Sequence, residues 1–141
     1  MSVREVVPFL RVSDMERSLR FYMDGLGFTM PLKWEVDNKV RWCRLEKDTA
    51  AIMLQQFATD GHDSWRPESK VGIGVSIVFI CEDALEIYRQ ALACGLKPSE
   101  PQVGNAMWVT SLTDPDGYNI DFESFTDTPE DTRLSEIGDS R

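Results

Sequence analysis

Two carboxylates near the end of an apolar run are the first candidates for chemistry. Asp121 and Glu123 are two positions apart in the run from Tyr118 to Phe125, so in a strand both side chains lie on the same side. Asn119 continues that row. Paired carboxylates can hold a cation or act as a general base, whereas on a solvated strand edge they would do neither. We take Asp121 and Glu123 as ligand-binding candidates and Asp121 as the single catalytic candidate.

Tryptophan supplies a second set of candidates, because the chain contains four of them. Flat indole rings bind aromatic molecules by stacking and cations by cation–π attraction. Trp34 and Trp42 share one strand-and-turn region, and Trp108 lies on a later predicted strand. The alternative for each is packing in the core or in a dimer interface. We predict that Trp34, Trp42 and Trp108 contact a ligand.

Two polar side chains accompany the tryptophans on predicted strands. Gln55 follows Met53 by two positions and should point the same way, which makes it a candidate for hydrogen bonding to a ligand. Arg44 alternates with Trp42, and we expect it to form an ion pair with a carboxylate.

Several chemistries are excluded by the residues that are missing. His62 is the only histidine, so an iron site of two histidines and one carboxylate cannot form. Cys43, Cys81 and Cys94 are widely spaced, which predicts reduced thiols rather than disulfides or a thiolate metal site. The sequence has no Gly-x-Ser-x-Gly elbow, phosphate-binding glycine loop or His-Glu-x-x-His motif.

The composition is typical of a soluble globular protein with one domain or two closely packed halves. The 141 residues are 42% hydrophobic and 28% charged, with a net charge of −9. That charge argues against binding to nucleic acid or anionic membranes; it either favours cationic ligands or serves solubility. No apolar run is long enough to span a bilayer, and Arg4 and Glu5 interrupt any signal peptide, so we expect a cytoplasmic location.

The same order of elements is predicted twice. In the first half a strand ends at Val12, a helix beginning with Ser13-Asp14-Met15-Glu16 stops at Gly25, and three antiparallel strands follow. In the second half a strand from Val75 to Cys81 precedes Glu82-Asp83 and a helix that stops at Gly95. The turn Asp114-Pro115-Asp116-Gly117 then joins two final strands.

These patterns divide the chain into four parts within one structural domain. Residues 1–57 form a first βαβββ module, 58–70 a polar linker and 71–126 a second module. Residues 127–141 form an acidic tail that we expect to be flexible. The predicted fold class is therefore α+β.

Three segments resemble the vicinal oxygen chelate superfamily, which contains glyoxalase I, extradiol dioxygenases and bleomycin resistance proteins. They are VSDMERSLRFYMDGLGF at Val12 to Phe28, its later duplicate, and SLTDPDGYNIDFES at Ser111 to Ser124. The resemblance covers about residues 3 to 125. It implies a curved mixed sheet of two modules around a cavity, commonly in a homodimer, and it identifies the fold better than the function.

The resemblance also implies four positions for metal ligands. They fall on Val7, Met53, Ser76 and Asp121, of which Val7 cannot bind a metal and Met53 is a poor partner for hard divalent ions. We therefore predict no metal and no other cofactor. A weak site made of Asp121 and Glu123 alone stays an alternative.

Together these features predict metal-independent binding or sequestration of a small aromatic or cationic compound, as in the bleomycin resistance branch. The alternative is a glyoxalase-type lyase or an epimerase that uses Asp121 as its base or as part of a depleted metal site. A third possibility is a non-catalytic interaction module whose cavity is filled by Val7, Met53 and core tryptophans.

Overall fold

The computed structural model describes residues 1–62 and 64–138 and divides the chain into two compact units, Met1–Lys70 and Val71–Arg141. Both are α+β, and each has one four-stranded mixed sheet. The predicted fold class and the duplication are thus confirmed. Within the described residues, no helix has the length and apolar character that crossing a membrane requires.

Unit 1 contains one sheet in the strand order β1-β4-β3-β2, with β1 parallel to β4 and the other pairs antiparallel. Its strands are β1 (Phe9–Val12), β2 (Thr29–Val36), β3 (Lys39–Lys47) and β4 (Ala50–Gln56). Between β1 and β2 lie the helix α1 (Met15–Leu19) and a π-helical segment (Arg20–Gly25). The sequence predicts one helix here, and the structure splits it into these two parts.

Unit 2 repeats this arrangement in the strand order β5-β8-β7-β6, with β5 parallel to β8. Its elements are β5 (Ser76–Ile80), α2 (Ala84–Ala93), β6 (Gln102–Gly104), β7 (Met107–Thr113), β8 (Asn119–Phe125) and a 3₁₀ turn (Leu134–Ile137).

Aspartate begins the helix after the first strand in both units. Asp14 accepts a hydrogen bond from the backbone N–H of Arg17, and Asp83 accepts from those of Leu85 and Glu86. Such caps satisfy donors that have no partner inside the helix. Their equivalent positions explain why the two modules are recognisable in the sequence.

Each sheet buries one face. In unit 1 the alternate residues Leu10, Val12, Cys43 and Leu54 are buried on the side that α1 contacts. Burial raises the pKa of the Cys43 thiol to about 11, which keeps it protonated and unreactive at neutral pH. In unit 2 the buried side contains Ala84, Val103, Trp108 and Leu134, packed against Cys81, Leu85 and Tyr88.

Residues 127–138 of the predicted tail make defined contacts with the rest of unit 2, whereas 139–141 lie outside the described residues. The expected flexibility of the tail stays a prediction. Leu134 is buried beside Trp108, and its N–H donates to the Pro101 carbonyl. The Glu130 carboxylate accepts from the N–H groups of Asn105 and Ala106, both of which have positive φ. One apolar anchor and one carboxylate thus hold a segment whose composition suggested disorder.

The turn between β7 and β8 depends on a buried carboxylate. Asp114 Oδ1 accepts from the backbone N–H groups of Asp116, Gly117 and Tyr118 at 3.0, 3.0 and 2.9 Å. Gly117 has φ 105°, a conformation that favours glycine. This turn fixes the register of β8 and therefore the positions of Asp121 and Glu123.

We predict that Asp114→Ala lowers the free energy of unfolding by about 2 to 3 kcal/mol, because three N–H donors lose their acceptor. Asp114→Asn should lose less, since its amide oxygen still accepts. Urea denaturation followed by tryptophan fluorescence measures both variants. Asp127→Ala, at an exposed position in the same unit, is the control. Equal stability of Asp114→Ala and this control would contradict the role of the turn.

Candidate functional site

The open face of the unit 1 sheet carries a row of four side chains, one from each strand. Arg11 lies opposite Gln55, Gln55 opposite Trp42, and Trp42 opposite Trp34. Directly opposed residues share a side of the sheet. Because Val12, Cys43 and Leu54 are buried on the other side, this row lies on the face that α1 leaves open.

Two further rings frame Arg11. Its guanidinium carbon lies 5.1 Å from the centre of the Phe9 ring and 5.6 Å from that of Trp65, both within cation–π distance. We define the aromatic face as Phe9, Arg11, Trp34, Trp42, Gln55 and Trp65. Phe9, Trp34 and Trp65 are 46%, 44% and 37% exposed, an unusual exposure for large rings.

The linker positions Trp65 against this face. The backbone N–H of Trp65 donates to the Ala58 carbonyl at 2.8 Å. The Trp65 ring meets the Phe57 ring edge-on, with the ring centres 5.3 Å apart. The His62 ring lies 6.2 Å from that of Trp34. The linker is therefore part of the candidate site as well as a connection.

Arg44 also lies on the open face of unit 1 and is held by two carboxylates, as predicted. It donates to Glu5 at 2.9 and 3.3 Å and to Glu46 at 2.7 Å. The hydrogen bond from Arg44 lowers the pKa of Glu5. These pairs offset the charge of Arg44 and tie the segment before β1 to the sheet.

The open face of the unit 2 sheet carries the two candidate carboxylates. Asp121 lies between Val78 of β5 and Ser111 of β7, and Glu123 lies between Ile80 and Val109. Asp121 and Glu123 are thus neighbours on one face, as their spacing predicts.

Asp121 is only 9% exposed, and its hydrogen bonding is incomplete. Its Oδ1 atom is buried and has no hydrogen-bond partner among the described residues. Its Oδ2 atom lies 3.4 Å from Asn119 Nδ2, which also donates to Ser76 Oγ at 2.6 Å. A buried acceptor without a protein donor is rare in folded proteins, and such a group can bind a donor from outside the chain.

The pKa of Glu123 is raised, first by burial and second by the negative charge of Asp121. Glu123 therefore takes up a proton more readily than an isolated glutamate does. A cation bound between the two carboxylates would also reduce their mutual repulsion.

The structure places five of the predicted site residues in two groups and places the sixth, Trp108, apart from both. Trp34, Trp42 and Gln55 share the aromatic face, and Asp121 and Glu123 share the open face of unit 2. Trp108 lies opposite Ser124 on the other side of that sheet, in the unit 2 core. Its packing in this core is the alternative that the sequence left open.

Trp65 was considered with the other tryptophans from the sequence but was not selected as a site residue, and Phe9 and Arg11 were passed over. Phe9 and Arg11 carry a usable signal, because they alternate with the apolar residues Leu10 and Val12 along β1. Trp65 carries none, because its place on the face depends on the path of an irregular linker.

The family follows from the sequence profile of the Glyoxalase/Bleomycin resistance protein/Dioxygenase superfamily, which matches residues 4–122. The chain belongs to this superfamily. The match spans both units, as the duplicated fold requires.

Solved structures of low sequence identity have the same fold. TioX from Micromonospora sp. ML1 is 14% identical with a TM-score of 0.71, and the match covers 88% of this chain and 100% of TioX. TnmS3, an antibiotic binding protein from Streptomyces sp. CB03234, is 17% identical with a TM-score of 0.64, covering 89% of this chain and 100% of TnmS3.

A lactoylglutathione lyase of Oryza sativa subsp. japonica is 27% identical over 118 residues. The match covers 79% of this chain but only 40% of the rice protein. The chain thus spans well under half the length of this relative.

Many members of the superfamily bind a divalent metal, but the residues at the implied positions here do not fit one. The side chain of Val7 has no atom that can bind a metal. Met53 is a thioether, and its neighbour on the adjacent strand β3 is the cationic Arg44. Ser76 and Asp121 leave a hydroxyl and a single carboxylate. Within the described residues, no group of three or more His, Cys, Asp or Glu is arranged to hold a metal ion.

We predict that Glu123→Gln raises the melting temperature slightly at pH 7. The raised pKa means that the ionised form is disfavoured in the folded protein, so ionised Glu123 costs stability above that pKa. The gain should shrink as the pH falls through the carboxyl range and wild-type Glu123 becomes protonated. Differential scanning calorimetry from pH 4 to pH 7 measures this, with exposed Glu82→Gln as control. A gain that is constant across this range would contradict the assignment.

Proposed function

We propose that this protein binds a small aromatic molecule without a metal and sequesters it on the aromatic face of unit 1. The observation that carries the proposal is the row Arg11, Gln55, Trp42 and Trp34, with Phe9 and Trp65 beside Arg11. The row combines stacking surfaces with hydrogen-bonding groups at fixed spacing. Small-molecule sites typically combine apolar walls with a few polar groups that fix orientation.

The exposure of the rings favours binding over a purely structural role. An aromatic pair contributes about 0.5 to 1.5 kcal/mol beyond simple burial, so a flat ligand that meets two or three indoles gains useful affinity. Gln55 is the buried member of the row, and its side-chain amide can hydrogen-bond to a polar group of the ligand. Arg11 presents several N–H donors to a carbonyl or an anionic group.

Similarity to an antibiotic-binding protein supports a drug-like ligand. TnmS3 shares this fold at low identity, so the comparison supports the kind of ligand and not its identity. We further propose that the protein acts as a homodimer in the cytoplasm and that its net charge of −9 keeps it from nucleic acids.

The proposal predicts which indole N–H resonances move when a flat probe binds. Each tryptophan has one indole N–H, so the amide correlation spectrum contains four such signals. Naphthalene-2-carboxamide should shift the signals of Trp34, Trp42 and Trp65 and leave that of core Trp108 unchanged. Trp42→Leu should weaken binding about five- to tenfold. Exposed Leu92→Ala on α2 is the control. Shifts confined to Trp108, or no shift at all, would contradict the proposal.

A second candidate function is the lyase or epimerase, and one observation favours it. Asp121 is a buried carboxylate with an unpartnered oxygen, a suitable group to take a proton from a bound substrate. The similarity to a lactoylglutathione lyase points the same way. In this mechanism Asp121 is the base, and Glu123 sets the local negative charge.

Enzymatic activity would be detected as lactoylglutathione formation from methylglyoxal and glutathione. If Asp121 is the base, Asp121→Ala should lower the rate at least about 100-fold, the usual contribution of a general base. Exposed Asp127→Ala should keep the wild-type rate. No turnover above background in the wild type, or equal rates in both variants, would remove this candidate.

A further inference from the structure

A bound metal, as in other members of the superfamily, does not explain the incomplete hydrogen bonding of the Asp121 carboxylate. In members that bind a metal, this position belongs to a set of four ligands, but its counterparts here are Val7, Met53 and Ser76. A lone carboxylate with a valine and a thioether is not a donor set for a divalent ion. Asp121 is therefore a carboxylate acceptor without the other ligands that a metal site would need.

The surroundings of Asp121 indicate what would satisfy it. Within the part of the chain that the structure describes, one oxygen has no hydrogen-bond partner, and the other has a long contact with Asn119. Rotation about the terminal bond of an aspartate side chain is soft and exchanges its two oxygens. A ligand that reaches either oxygen can therefore donate to the carboxylate.

The charge of Glu123 and the apolar side chains beside the two carboxylates favour an organic cation as the hydrogen-bond donor to Asp121. Glu123 adds a second negative charge on the same face, so a neutral donor would leave part of the repulsion in place. The exposed apolar side chains Val78 and Ile80 lie directly opposite Asp121 and Glu123 on β5. They suit the hydrocarbon part of a ligand whose charged end meets the carboxylates.

We propose that Asp121, assisted by Glu123, forms a subsite on unit 2 for the amidinium or ammonium group of an organic ligand. A planar amidinium matches a carboxylate with two parallel N–H donors, the strongest pairing of this kind. The inference rests on the proposed function for the small-molecule role, but it concerns a different group of residues and a separate chemical contact.

A matched pair of probes tests the subsite on the wild-type protein. Naphthalene-2-carboxamidine and naphthalene-2-carboxamide have nearly the same shape and differ in charge. Isothermal titration at low salt should give at least tenfold tighter binding of the amidine. Equal affinity for the two probes would overturn the proposal, because shape alone would then explain binding.

Variants locate the contact. Asp121→Asn should weaken binding of the amidine at least tenfold and leave binding of the carboxamide unchanged. Glu123→Gln should weaken binding of the amidine two- to fivefold. Glu82→Gln, at an exposed position outside β8, should have no effect and controls for net charge. Unchanged amidine affinity in Asp121→Asn would overturn the proposal.

Two further readouts keep the result interpretable. If Asp121→Asn does not fold, as judged by circular dichroism, the probe pair on the wild type and the Glu123→Gln titration decide the question. Native mass spectrometry with Mn²⁺, Ni²⁺ or Zn²⁺ tests the metal alternative. A metal that binds near one per chain to the wild type and not to Asp121→Asn would replace the organic cation.

The outcomes also separate this subsite from the aromatic face. Charge-dependent amidine binding that Trp42→Leu leaves intact, together with no carboxamide binding by the wild type, would support the subsite and contradict the aromatic face. Carboxamide binding that requires Trp42, with no advantage for the amidine, would support the aromatic face and overturn the subsite.

Discussion

The alternation of side chains along each strand, combined with a helix on one side of each sheet, is the constraint on which the rest depends. Burying Leu10 and Val12 against the helix side leaves Phe9 and Arg11 on the open side, and the same rule places Asp121 and Glu123 opposite the unit 2 core. The candidate sites therefore lie on the sheet faces that do not pack in the cores. Loss of register by one residue would exchange core and site side chains together.

Much of this could be predicted because the signals are local. The caps at Asp14 and Asp83 and the Asp114 turn act over four or five residues, so both modules are legible in the sequence. Predicting which face of the sheet Trp108 lies on requires the register of β7 and β8. The turn pairs Thr113 with Asn119, so Trp108 lies opposite Ser124, on the other face from Asp121. The place of Trp65 and the packing of Leu134 depend on contacts distant in sequence, and no local pattern encodes them.

Net charge proved a poor guide to the local chemistry of each face. The chain has a net charge of −9, yet the open face of unit 1 carries the cation Arg11 among its rings, whereas the carboxylates Asp121 and Glu123 lie in unit 2. Arg44 on the unit 1 face is paired with Glu5 and Glu46. Summed charge acts over about a Debye length of 8 to 10 Å and steers encounter, but recognition depends on direct contacts. The aromatic and the cationic ligand preferences, which the sequence predicted together, are therefore proposed for different residues.

Asp121 stands at an implied metal-ligand position, although Val7 and Met53 at two other such positions do not suit a metal. A metal ion neutralises the carboxylate that binds it, so a protein without the other ligands must compensate that carboxylate in another way. A water molecule, a proton shared with Glu123 or a donor from a ligand would each serve. The first two involve no ligand, whereas a donor from a ligand makes the affinity of that ligand depend on its charge. Under our proposal, the unpaired oxygen of Asp121 serves binding selectivity rather than the stability of the fold.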